Sequence, residues 1–103
     1  MRRQRSINFR RIADGAALRS ELILRRWLPS GRRNGAEWVS CNPKRSDQKP
    51  GSFKVNLHSG RWADFATGDS GGDLISLAAY LFDMKQDEAA IRVAQMIGMS
   101  PHD

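Results

Sequence analysis

The chain has 103 residues, 40% hydrophobic and 27% charged, a globular composition sufficient for one small core and too short for a multidomain enzyme. Residues 1–45 hold twelve basic and three acidic groups, +9, and residues 46–103 hold five and eight, −3, so the total of +6 is concentrated N-terminally and points to a polyanion or an acidic protein surface. A single cysteine, Cys41, excludes an internal disulfide and points to reducing, cytoplasmic surroundings, and no apolar run approaches the roughly 20 residues that cross a bilayer, so no membrane partner is expected.

Residues 1–6 read as a basic, flexible arm and residues 7–103 as one domain. From Ile7 to Leu28 apolar residues recur at three- and four-residue steps, which predicts one or two amphipathic helical segments with Arg10, Arg11, Arg19, Arg25 and Arg26 outward and Gly15 as the expected break. Pro29-Ser30-Gly31 stops the helix, and Gly31 to Gly35 reads as an exposed loop. Glu37 to Cys41 predicts a strand that Asn42-Pro43 ends, because proline has no amide for a ladder, and Lys44 to Gly51 is a polar loop.

Ser52 to Leu57 and Arg61 to Phe65 alternate apolar and polar residues around His58-Ser59-Gly60, which predicts a hairpin with Phe53, Val55 and Leu57 on one face and Lys54 and Asn56 on the other. Gly68 to Gly72 reads as a flexible loop. Asp73 is placed to cap a helix over Leu74 to Phe82, and a second helix is predicted from Gln86 to Ile97, stopped by Gly98.

The succession Asn42-Pro43-Lys44, Pro50-Gly51-Ser52-Phe53, Phe65-Ala66-Thr67-Gly68 and Gly72-Asp73-Leu74 resembles the zinc-binding domain that opens bacterial-type DNA primases. It is more similar still to the derived version in primase-helicase replication proteins of phages, plasmids and integrated elements. The resemblance spans about Leu28 to Gly98 and puts the four ligand positions at Cys41, Lys44, Asp64 and Thr67. Only Cys41 is a soft zinc donor, and a structural zinc takes four Cys or His ligands with an occasional carboxylate. No metal and no cofactor are therefore expected, with apolar packing through Trp38, Trp62 and Phe65 expected in their place. The implied fold is α+β: an N-terminal helical segment, a three-stranded antiparallel sheet of zinc-ribbon type and two C-terminal helices.

Arg32, Arg33, Lys44, Arg45, Lys49, Lys54 and Arg61 fall in predicted loops or on the polar hairpin face, with Glu37 and Asp47 as the nearby acids. Cations that track phosphates, mixed with aromatic rings that stack on bases, are how single-stranded nucleic acid is held. Phe53 and Phe65 read as core, while Trp38 and Trp62 are open to a core or a stacking role.

Gly68 to Asp73 lacks the Lys-Ser/Thr of a phosphate-binding loop, and His58 and His102 have no catalytic spacing to Cys41 or a carboxylate. No catalytic residues are assigned. The resemblance implies a non-enzymatic domain that binds single-stranded DNA in replication, with a primase catalytic or helicase module as partner. The alternative is a protein-interaction module or inhibitor that sets its basic surface against an acidic or nucleic-acid-binding partner.

Overall fold

A computed structural model describes residues 6–45 and 51–102, so residues 1–5 of the expected arm and Lys49 of the expected site lie outside the described residues. The N-terminal periodicity resolves into two helices, α1 (Phe9–Ala17) and α2 (Ser20–Trp27). Asn8 starts α1, its side-chain oxygen accepting from the Arg11 amide at 3.1 Å. The break falls at Leu18 and Arg19, not at Gly15. Gly15 lies inside α1, where a Cβ would stand 2.6 Å from Met99 Sδ, so the missing side chain admits the segment that follows the last helix.

The sheet is an antiparallel meander of five strands in chain order: β1 (Arg32–Asn34), β2 (Glu37–Ser40), β3 (Phe53–Asn56), β4 (Trp62–Asp64) and β5 (Ser70–Gly71). Three strands were expected, and the two additions are the edges. β1 is exposed throughout and β5 is two residues long, so neither carries the apolar alternation that announces a half-buried strand. Backbone pairing recruits them: Gly35, at φ +63°, turns β1 into β2, and Ala63 and Trp62 pair with Ser70 and Gly71.

Register sorts the side chains. Trp38, Val55 and Trp62 lie in one row of partners, and Ser40, Phe53 and Asp64 lie in the next, all buried. The opposite face carries Val39, Lys54, Ala63 and Ser70 in one row and Glu37 and Asn56 in another. The inner rows pack against α3 (Leu74–Phe82), whose Asp73 cap accepts from the Ser76 amide at 2.8 Å, and α4 (Gln86–Ile97) ends at Gly98 with φ +74°. Helices α1, α3 and α4 pack on one another, and one core joins Ile12, Leu24, Phe53, Val55, Leu77 and Val93.

Aromatic packing fixes the sheet to α3. Trp62 stacks on Phe53 with centroids 5.9 Å apart and lies 4.7 Å from the Tyr80 ring. Trp38 closes the other end, its Nε1 donating to the Leu28 carbonyl at 3.1 Å. Phe65, expected in this core, is 72% exposed.

The Trp62 ring is buried so closely under Gly71 that a Cβ there would overlap both its Nε1 and Ser76 Oγ. Gly71→Ala should therefore lower the urea midpoint by the equivalent of about 1–3 kcal/mol of overpacking. An unchanged midpoint would contradict the placement of Trp62 beneath β5.

Candidate nucleic-acid interface

The outer face of the sheet holds an open depression of about 500 Å³ whose rim includes Lys54, Asn56, Arg61, Phe65 and the backbone turn at Gly71 and Gly72. Strand alternation aims Lys54 outward, and its ammonium lies 5.8 Å from the centroid of the Phe65 ring. The Asn56 carboxamide oxygen accepts from the His58 and Ser59 amides at 2.8 and 2.9 Å, which shapes the turn leading to the exposed Arg61. Glu37, directly across from Asn56, is the carboxylate lining this depression. A cation beside an exposed ring, with a second cation farther along the same face, can hold phosphate and the face of a base together.

The other residues expected at the site are dispersed. Arg32 is exposed on β1, in the outward row with Val39 and Lys54. Arg33 shares the inner row with Trp38 and reaches across to α2, where its guanidinium meets Glu21 at 3.0 Å. Lys44 pairs with Asp83 and lies over the Tyr80 ring, and Arg45 reaches Asp64 at 3.4 Å. Trp38 and Trp62 are 3% and 4% exposed, so their faces are spent on the core and not offered to bases. The exposed ring on this face is Phe65. Counting from the inward Trp62, alternation puts Ala63 out, Asp64 in and Phe65 out. The signal was thus present, and it was obscured because an aspartate holds the inward place usually taken by an apolar residue.

The arginines of α1, α2 and the turn between them are exposed, and several have partners, mostly local. Arg25 pairs with Glu21 at 2.9 Å, Arg19 donates to the Gly15 carbonyl, and Arg10 lies 3.9 Å from Asp14. Hydrogen bonding and charge from Arg25, with Arg33, hold the Glu21 carboxyl below its usual range against the opposing effect of desolvation.

The four positions that the resemblance puts at zinc ligands, Cys41, Lys44, Asp64 and Thr67, do not fit a zinc site in their chemistry. The Lys44 ammonium carries positive charge and is committed to Asp83, and Thr67 offers a neutral hydroxyl. Asp64 is 0% exposed, and its carboxylate is already filled: Oδ2 accepts from Asn42 Nδ2 at 2.9 Å and from Arg45, and Oδ1 accepts from the Ala66 amide at 2.9 Å. Among the described residues no group of three or more His, Cys, Asp or Glu is placed to hold a metal. Burial pushes the Asp64 carboxyl upward, and hydrogen bonds from Asn42, the Ala66 amide, Ser52 and Arg45 outweigh it, leaving the group below its ordinary range. Asn42 Nδ2 also reaches Tyr80 Oη at 2.8 Å, and that hydroxyl donates to Asp69 at 2.8 Å. Burial first, and then the neighbouring Asp69, raise the Tyr80 phenol and keep it protonated as a donor.

No family model matches the chain, and no curated protein does. Among solved structures, the Aquifex aeolicus primase, comprising zinc-binding and RNA polymerase domains, matches with a TM-score of 0.67 and 22% identity over 92% of this chain. The match spans 22% of that primase chain. The fold is therefore primase zinc-binding-like, and it is a mixed arrangement of helices and an antiparallel sheet. Among the described residues no helix is long and apolar enough to cross a membrane.

Because the Asp64 carboxyl is depressed in the folded state, its stabilising contribution is complete above the unfolded carboxyl value of about 4 and is lost as pH falls through the lower folded value. The stability gap between the native chain and Asp64→Asn should hold constant from neutral pH to about pH 5 and shrink below about pH 4. Chemical denaturation across that range measures it, and a gap independent of pH would show that Asp64 is not ionised in the fold.

Proposed function

We propose that this chain is a non-catalytic, primase-like domain that engages single-stranded DNA during replication of a phage, plasmid or integrated element. A primase catalytic or helicase module in the cytoplasm is its proposed working partner. The reading rests chiefly on the outer sheet face, where the exposed Phe65 ring lies beside Lys54 and Arg61 lines the same depression at the other end of β4. A strand laid along the sheet places one base on that ring and successive phosphates on Lys54 beside it and Arg61 beyond it. The depression is open, so the bases enter unpaired and the ring accepts any of them. The likeness to a primase chain supports the replication setting, and the excess positive charge supports a polyanion as ligand.

A second reading has its own observation. Leu18 and Leu22 are 85% and 73% exposed at the α1–α2 corner, beside Arg19, which suits a protein partner with an acidic, apolar surface.

Binding of a fluorescent single-stranded oligonucleotide across a salt series separates the two. Affinity should fall with salt with a log–log slope of about −0.7 for each phosphate engaged, and Lys54→Ala with Arg61→Ala should remove about two such increments. Phe65→Ala should weaken binding by about 1–3 kcal/mol while leaving the salt slope unchanged, because a stacked ring releases no counterions. No binding at low salt by the native chain would overturn the single-strand reading and leave the α1–α2 corner as the working surface.

A further inference from the structure

The geometry points to a polar clamp, the buried Asn42 and Asp64 extended by Tyr80, Asp69 and Arg45, that joins the two sheet turns to α3 without metal and sets the turn carrying Phe65. Asn42 lies in the turn after β2, where its own side chain accepts from the Lys44 amide at 2.9 Å and its carbonyl accepts from the Arg45 amide at 3.0 Å. Asp64 ends β4, Asp69 precedes β5 and Tyr80 stands on α3. Three chain segments distant in sequence therefore meet at one Asn42 Nδ2, which donates to Asp64 and lies against Tyr80 Oη, and Tyr80 Oη in turn donates to Asp69.

The two buried members of the chain of bonds, Asn42 and Asp64, are not expendable. Asn42 is 1% exposed and Asp64 is 0% exposed, so a group left without its partner has no water to replace it. Lys44, at a ligand position of the zinc-bearing pattern, braces the same turn from outside by pairing with Asp83 at the end of α3. Of the expected apolar packing, Trp38 and Trp62 lie in the core and Phe65 does not, and the polar groups link the turns.

The clamp also shapes the proposed binding face. Asp64 Oδ1 takes the Ala66 amide, and the Asp64 carbonyl takes the amides of Thr67 at 3.2 Å and Gly68 at 2.8 Å. The Phe65 amide donates to the Ser52 carbonyl at 2.9 Å. With its neighbours bound inward on both sides, the Phe65 side chain is turned out over Lys54. Asn42 and Tyr80 are thus positioning residues for Phe65, an assignment that depends on the single-strand reading, whereas the clamp itself does not.

Tyr80→Phe removes one hydroxyl and keeps the ring, and Asn42→Ala cuts the same contact from the other side. Each should lower the Tm of the full chain by several degrees, and the double variant should fall short of the sum because the two share one contact. Neither EDTA nor added zinc should move the native Tm. Amide exchange at Ala66 and Gly68 should quicken in Tyr80→Phe. Oligonucleotide affinity should drop about two- to tenfold in Tyr80→Phe and not further in a Phe65→Ala background. A Tm lowered by chelator, or additive effects of the two variants, would overturn the clamp. Unchanged exchange at Ala66 and Gly68, or an affinity loss that persists without the Phe65 ring, would overturn its positioning role. Should the native chain bind no oligonucleotide, the single-strand reading falls while the melting and exchange measurements still decide the clamp.

Discussion

A carboxylate withdrawn from water must be met by donors or it unfolds what surrounds it, and Asp64 places this demand at the centre of the sheet. Its position is set by strand parity: β4 presents Trp62 and Asp64 to the same side, so burying the tryptophan buries the aspartate. The donors that answer it are the neighbouring Ala66 amide and, from farther along the chain, Asn42, Arg45 and Ser52. Satisfying one charge therefore determines where two turns and the middle of α3 come together. Apolar area holds the domain together, but it does not choose among ways of closing these turns. The directional bonds do.

The same parity produces the candidate binding face. One residue beyond Asp64 the chain points outward, and it carries a phenylalanine whose ring meets Lys54 from the next strand. Inner and outer faces are thus two consequences of one alternation, the first spent on Phe53, Trp62 and Tyr80, the second left to solvent with Lys54, Asn56 and Ser70. The cations nearest the clamp do not serve this face: Lys44 and Arg45 are held by Asp83 and Asp64. A basic composition consequently yields a small cationic area rather than a continuous one, which suits contact with a few nucleotides more than a long track.

Much of the architecture was legible in the sequence. The helix over Leu74–Phe82 with its Asp73 cap, the helix over Gln86–Ile97 with its Gly98 stop, and the hairpin around His58 to Gly60 all follow from period, cap and turn chemistry. The edge strands were not legible, because β1 and β5 owe their existence to backbone pairing and show no side-chain pattern. The site was legible in part. Lys54 and Arg61 were found from the polar face of the hairpin, whereas Arg33 was drawn away by Glu21, a contact twelve residues distant that no local pattern records. Phe65 was misplaced for a physical reason: an inward Asp64 is improbable until its donors are known, and those donors lie 22 residues back and next door in the fold.

Amide and side-chain NMR shifts recorded during titration with a short single-stranded oligonucleotide locate the contact surface most directly. The account predicts shifts concentrated at Lys54, Ala63, Phe65, Ser70 and Gly71, with Leu18, Leu22 and α4 unmoved. Shifts concentrated at the α1–α2 corner, with the outer sheet face silent, would contradict it.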